Sequence, residues 1–99
     1  MVRHIVSFNY QEKFDRNQNR ENALIVKNEL ETLVEKIDGI IELKVYIDSL
    51  DTSDRDLVLN SLFKNAEDLA AYQVHPEHQK VVAIVNTMMM NKTTIDYIE

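Results

Sequence analysis

The chain of 99 residues contains no cysteine, so neither a disulfide nor thiolate chemistry is available to it. This absence is typical of proteins from a reducing compartment, and the cytoplasm is the expected location. No long apolar run follows the charged residue near the N-terminus, so we expect no secretion signal. The longest apolar run, residues 80–90, is too short and too interrupted to span a bilayer, and we expect no membrane partner.

Clusters of basic residues are also missing. The net charge is −6, and the lysines and arginines are scattered along the chain. Nucleic acids are bound by clustered cations that neutralise phosphates, so we expect no nucleic-acid partner. The chain also offers no phosphate-binding loop and no convincing cluster of metal ligands, and we therefore expect no cofactor.

What the sequence does contain is enough apolar material for a core. Apolar residues make up 44% of the chain, whose length suits one domain spanning residues 1–99 and not two. A domain of this size buries only about 60–70% of the surface of its unfolded chain. A dimer interface would therefore add to its stability.

In four segments, successive side chains fall alternately on two faces, which is the two-residue period of a β-strand. They are residues 2–10, 40–49, 55–64 and 93–98. In the second segment, Ile41, Leu43 and Val45 are expected to share one face. A polar turn at residues 50–54 separates the second segment from the third.

Between the first two strands, apolar residues recur at helical spacing up to Ile37 and predict an amphipathic helix of about twenty residues. Asp15 and Gln18 have the spacing of a capping box at its start. Gly39 is the only glycine in the chain. Because glycine takes a positive φ most readily, we expect Gly39 to end the helix.

The region after the third strand predicts a helix that breaks and restarts. Asn65 can cap its start, with Asp68 in the first turn. His75 precedes Pro76, which disfavours helix at His75, and Pro76 suits the first position of a new helix. One stripe of that second helix holds His78, Val81, Val82, Val85, Met88 and Met89. His78 is therefore predicted to point inward.

The order of elements is β-α-β-β-α-β, which predicts an α+β, ferredoxin-like fold with an antiparallel sheet. Helices cover one face of such a sheet. The first strand is apolar on the side of Val2, Val6 and Phe8, and large exposed apolar faces mark interfaces. We predict a homodimer formed by stacking of two sheets. The first three strands would form most of the interface, with those three residues near its centre.

The stretch Asp68-Leu69-Ala70-Ala71-Tyr72-Gln73-Val74-His75-Pro76-Glu77-His78 resembles a motif of the stress-responsive α/β-barrel (Dabb) family. Supporting matches are His4-Ile5-Val6, Gly39-Ile40 and Ser61-Leu62-Phe63. The resemblance spans nearly the whole chain. It implies a dimeric ferredoxin-like fold, a dimeric α/β barrel whose two sheets enclose a barrel-like space.

The resemblance also implies roles for individual residues. In a plant member of the family, olivetolic acid cyclase, aldol chemistry closes a linear polyketide. The tyrosine and histidine at the positions of Tyr72 and His78 are its acid/base pair. A histidine at the position of His4 lies in its pocket, and the place of a further pocket histidine is taken here by Leu57.

The chemistry of these side chains fits proton transfer at a carbon next to a carbonyl. Histidine, with a reference pKa of about 6.5, takes and returns a proton near neutral pH. A tyrosine hydroxyl can donate a hydrogen bond to a carbonyl oxygen that becomes an enolate. The predicted catalytic residues are therefore Tyr72 and His78. Those expected to border a small-molecule ligand are His4, Val6, Phe8, Leu57 and His75.

Two alternatives remain open from the sequence. In the first, the protein is a non-catalytic, stress-associated structural dimer or binding module; in the structural dimer, Tyr72 and His78 are ordinary core residues and apolar side chains fill the barrel. In the second, His75 and His78 bind a metal with His4 or Asp56 as a third ligand, although Pro76 disturbs the helical spacing. We expect no metal, and His75 is also a candidate helix cap.

Overall fold

The computed structural model describes all 99 residues. Its strands are β1 (Val2–Tyr10), β2 (Ile40–Tyr46), β3 (Leu57–Phe63) and β4 (Met89–Ile98). Its helices are α1 (Arg16–Glu31), α2 (Ala66–Val74) and α3 (Pro76–Met88), with a 3-10 turn at Thr32–Glu35. The strands form one antiparallel sheet in the order β2-β3-β1-β4, and the predicted α+β arrangement is confirmed. None of the helices is long and apolar enough to cross a membrane.

The predicted start of α1 is confirmed, whereas its end comes early. The Asp15 side chain accepts a hydrogen bond from the Gln18 backbone N–H at 2.8 Å. Regular helix ends at Glu31, and the chain continues into the 3-10 turn. Gly39 has the expected positive φ of +94°, but it lies in the turn that enters β2 and not directly after α1.

The predicted break between α2 and α3 is confirmed. Asn65 caps α2 by accepting a hydrogen bond from the Asp68 N–H at 2.8 Å. His75 is extended, with ψ of 135°, and Pro76 begins α3. The His75 Nδ1 atom accepts a hydrogen bond from the Glu77 N–H at 3.1 Å. His75 is thus the N-cap of α3.

The helices cover the apolar face of β1, which corrects the predicted dimer interface. Val6 and Phe8 are 3% and 7% exposed and belong to the core between helices and sheet, and Val2 packs against that core. Alternation showed that one side of β1 is apolar, but it could not show whether helices or a second chain would cover that side. The sheet face left open carries Ile5 and Arg3 of β1 instead.

This open face mixes apolar and charged side chains. Ile95 of β4 is 59% exposed and is paired in register with Ile5. Arg3 donates hydrogen bonds to Glu42 at 2.8 Å and to Glu99 at 2.7 Å. The open face is therefore a surface that a partner could cover, with both apolar contacts and fixed charges.

Four predicted strand boundaries and one predicted face were wrong. The register between β2 and β3 shifts between Ile40 and Glu42, and such a bulge inserts an extra residue. Ile41 is consequently 47% exposed, while Leu43 is buried as predicted. Strand β2 ends at Tyr46, three residues earlier than predicted. Strand β3 begins two residues later and ends one residue earlier than predicted, and β4 begins at Met89, four residues before the predicted start.

Candidate functional site

A cavity of about 320 Å³ lies between the sheet and the helices, beside β1, β4 and the break between α2 and α3. Its polar lining consists of His4, Tyr72, Gln73, His78, Gln79, Asn86, Lys92 and Thr94. Its apolar lining consists of Val6, Phe8, Leu30, Leu59, Val82 and Val85. The apolar side chains form the walls and leave the space between them open.

Tyr72 lies near the end of α2. Of the cavity's lining residues that carry a polar group, it is the most deeply buried. Its side chain is 0% exposed and its ring lies 4.9 Å from the ring of Phe63, centre to centre. Its hydroxyl has no hydrogen-bond partner among the protein groups. Burial raises the pKa of Tyr72, so the hydroxyl stays protonated at neutral pH and is a donor without an acceptor in the chain.

The helix break brings His78 to Tyr72. In a continuous helix, residues six apart point about 120° away from each other and are separated by about 9 Å along the axis. Here the two ring centres are 4.1 Å apart, and the ring planes are inclined by 33°. The contact depends on the extended backbone at His75, which redirects the chain between α2 and α3.

The hydrogen bonding of His78 determines which ring nitrogen is free. Its Nδ1 atom lies 3.2 Å from the carbonyl oxygen of Gln73. Because a carbonyl can only accept, Nδ1 carries the proton, and Nε2 keeps its lone pair in the neutral ring. Burial lowers the pKa of His78, and the charge of Lys92 adds to this effect. His78 is therefore largely unprotonated at neutral pH.

His4 also lines the cavity and is bonded to a carboxylate that the sequence did not single out. Its side chain is buried, and its Nδ1 atom bonds to Oδ1 of Asp96. The ring of His4 meets the ring of Tyr72 edge-on, with centres 6.2 Å apart. Antiparallel pairing of β1 with β4 places Asp96 beside His4. Only the strand register, which was not predicted, could have identified it.

Lys92 also lines the cavity and was missed. It lies on β4, which the sequence predicted to begin only at Thr93. The alternation that places Thr94 beside Val6 on the helix-covered face places Lys92 on that face as well. A correct start for β4 would have indicated it. Gln79 and Asn86, on α3, were missed because the predicted inward stripe held only apolar residues and His78.

The structure brings together five of the predicted site residues, namely His4, Val6, Phe8, Tyr72 and His78. Two others lie elsewhere, and their placement beside a ligand needs correction. Leu57 is buried in the core, paired with Phe8 at the far end of β1. His75 does not line the cavity, because its ring is turned to the start of α3 as a cap.

The structure does not bring the suggested metal ligands together. No group of three or more histidine, cysteine, aspartate or glutamate side chains is placed to hold one ion. Asp56, suggested as a third ligand, accepts a hydrogen bond from the Tyr10 backbone N–H at 2.8 Å. His75 and His78 direct their Nδ1 atoms to different backbone groups.

Comparison with known families agrees with the fold of the chain. The sequence model described as the stress responsive A/B barrel domain, Dabb, matches residues 2–99. The chain belongs to the Dabb family. No curated protein matches its sequence at a significant level.

Solved structures share the fold of this Dabb domain across nearly their whole length. A dimeric, ferredoxin-like protein of unknown function from Bacteroides fragilis is 26% identical, with a TM-score of 0.89 over 97% of this chain and 93% of the other. A protein from Arabidopsis thaliana is 20% identical, with a TM-score of 0.80 over 100% and 95%. A hydroxynitrile lyase from Passiflora edulis is 18% identical, with a TM-score of 0.77 over 99% and 92%.

Proposed function

We propose that this Dabb protein binds a small carbonyl compound in its cavity and moves a proton at the carbon next to the carbonyl group. The observation that carries the proposal is the hydroxyl of Tyr72, a buried donor without a protein acceptor, in ring contact with His78. An unpaired buried donor beside an unprotonated base is the pair that such a reaction needs.

The proposed reaction has two steps. The Tyr72 hydroxyl donates a hydrogen bond to the carbonyl oxygen while Nε2 of His78 takes a proton from the adjacent carbon. The electron pair of the broken C–H bond forms the enolate, whose negative oxygen is stabilised by Tyr72. The imidazolium of His78 then returns the proton or gives it to a new position. These two steps require neither an oxidant nor a cofactor.

The protonation states suit these roles. Because burial lowers the pKa of His78, the ring can accept a proton at neutral pH. Because burial raises the pKa of Tyr72, its hydroxyl keeps the proton that it shares with the ligand. The cavity, at about 320 Å³, lies near the lower end of the roughly 300–1,000 Å³ of small-molecule sites, which favours a ligand of one ring or a short chain.

We also propose that the protein is a homodimer that stacks the open faces of two sheets. The Bacteroides fragilis protein of the same fold is described as dimeric. Ile95 and Tyr97, 59% and 45% exposed on that face, would be covered by the partner.

The net charge of −6 supports our expectation that neither nucleic acid nor membrane is a partner, and the cytoplasm remains the predicted location.

Deuterium exchange tests the proposed chemistry directly. The probe is 4-acetylbenzamide, a neutral aryl methyl ketone, whose methyl protons exchange with D₂O and are followed by proton NMR. We expect the wild type to accelerate exchange and His78→Gln to abolish the acceleration. Tyr72→Phe should reduce it by about 10²-fold or more, the usual range for one acid/base group.

The control is Tyr97→Phe, which removes a tyrosine hydroxyl from the open face and should leave exchange unchanged. Exchange at the uncatalysed rate with wild type, while the ketone still binds, would favour a non-catalytic binding module. Absence of binding both of this ketone and of its carboxylate analogue, 4-acetylbenzoate, would favour the structural dimer and would end the proposal.

A further inference from the structure

We propose that Lys92 selects anionic ligands, so that the natural ligand of the cavity is a carbonyl compound that also carries a carboxylate. This inference rests on the proposed function, because it concerns the substrate class of the same cavity. It names a residue for specificity, distinct from Tyr72 and His78.

The charge balance of the lining is the first observation. Lys92 is the only lysine or arginine among the lining residues, and no aspartate or glutamate is among them. The nearby carboxylate of Asp96 is already bonded to His4. The cavity therefore presents one positive charge that no lining residue neutralises.

Lys92 is also free of any ion pair. Most other lysines of the chain have a carboxylate within 4.0 Å, as Lys27 has in Glu31 at 2.8 Å and Lys64 has in Asp68 at 3.6 Å. No ion pair or side-chain hydrogen bond involves Lys92. Its ammonium group is available to a ligand without breaking an existing contact.

The position of Lys92 relative to the reacting pair gives the third observation. Lys92 is exposed on the edge strand β4, whereas Tyr72 is fully buried. Burial lowers the pKa of His78, and the positive charge of Lys92 lowers it further, which is consistent with their shared place in the lining. A ligand whose carbonyl reaches Tyr72 would thus leave its other end near Lys92 at the mouth. A carboxylate at that end would pair with the ammonium group and remain partly hydrated, which avoids the cost of burying a charge.

A matched pair of probes separates charge from shape. The compounds are 4-acetylbenzoate, ionised at neutral pH, and 4-acetylbenzamide, which has the same ring and ketone without the charge. Their affinities are measured by isothermal titration calorimetry at low salt. We expect the wild type to bind the carboxylate roughly two- to fivefold more tightly, within the range for an exposed ion pair.

Variants at Lys92 test whether that residue is the source of the preference. Lys92→Met should bring the two affinities together, and Lys92→Arg, which keeps the charge, should retain the preference. The control Lys13→Met removes a positive charge from a residue outside the lining, whose ammonium lies over the ring of Phe14. It should leave the preference of the wild type in place.

Each remaining outcome bears on one proposal or on both. If wild type binds the amide as tightly as the carboxylate, or if Lys92→Met keeps the preference, the role of Lys92 is overturned. The proposed function then survives alone, provided that 4-acetylbenzamide still shows exchange that depends on Tyr72. If wild type binds neither probe, both proposals fail.

Discussion

The hydroxyl of Tyr72 is a polar group inside the core without a protein partner. Leaving a buried hydrogen-bonding group unpaired costs about 1–3 kcal/mol of stability. A tyrosine that served packing alone would do better as phenylalanine. The fold does not account for the hydroxyl, whereas a ligand that accepts its hydrogen bond would.

Substitution Tyr72→Phe should separate stability from function. We expect its free energy of unfolding to equal or exceed that of the wild type, because the ring keeps its contacts and an unpaired donor is removed. Urea denaturation followed by circular dichroism measures this. A loss of more than about 1 kcal/mol would mean that the hydroxyl bonds to a protein group in solution.

The lowered pKa of His78 predicts a dependence of stability on pH. The unfolded chain, with a histidine pKa of about 6.5, binds the proton more tightly than the folded one. His78 therefore lowers stability as the pH falls below about 6.5, down to its own lowered pKa, and has no such effect at higher pH.

Comparison of wild type with His78→Gln isolates this contribution. Between about pH 7.5 and about pH 5.5, the free energy of unfolding of the variant should fall less steeply than that of the wild type. Urea denaturation at several pH values gives both slopes, and the titration of all other groups cancels in their difference. Parallel slopes would show that His78 has an ordinary pKa in the folded state.

At the scale of elements, the turn before β2 depends on a residue without a side chain. Gly39 has a φ of +94°, and a Cβ atom built there would lie 2.6 Å from Cβ of Asp68 on α2. The backbone conformation and the packing of the turn against α2 therefore both require glycine.

Gly39→Ala and Gly39→Val should each destabilise the protein by about 1 kcal/mol or more, since both problems begin at Cβ. Thermal unfolding measures the effect. Asp38→Ala, at the exposed neighbouring position of the same turn, is the control and should change little. Melting temperatures equal to that of the wild type for both Gly39 variants would contradict the conformation described here.

The elements could be predicted from the sequence to a large extent, because alternation, capping residues and the break at Pro76 are local signals. The residues of the site that were missed depend on signals that are not local. Asp96 reaches His4 only through the pairing of β1 with β4, across most of the chain. Lys92 was missed because Asn91, with a φ of +56°, lies at an irregular start of β4 that the alternation does not show.

For the whole molecule, alternation also left open which face of the sheet a partner would cover. Because the helices cover Val6 and Phe8, the proposed dimer would use the face of Ile5 and Ile95. The apolar area on that face is interrupted by the Arg3–Glu42 ion pair. The interface would thus combine apolar contacts with a fixed charge pattern that sets the alignment of the two sheets.

An aspartate in place of Ile95 should weaken the proposed dimer, because association would bury an unpaired charge. We expect the dissociation constant to rise about tenfold or more, measured by light scattering over a dilution series. Ile98→Asp is the control, since Ile98 is 88% exposed on the opposite face of β4. A wild type that is monomeric at micromolar concentration would contradict the dimer, and equal effects of the two variants would contradict this face.

The two sides of the cavity differ in how freely they can change during evolution. Tyr72 and Val6 belong to the core, where most substitutions are costly. The side chains from Asn91 onward on the edge strand β4 are exposed, and substitutions at such positions usually alter stability by no more than about 0.5 kcal/mol. Exchange of residues such as Lys92 and Thr94 would therefore change the ligand preference of the proposed site at little cost in stability, while Tyr72 is held in place by the core.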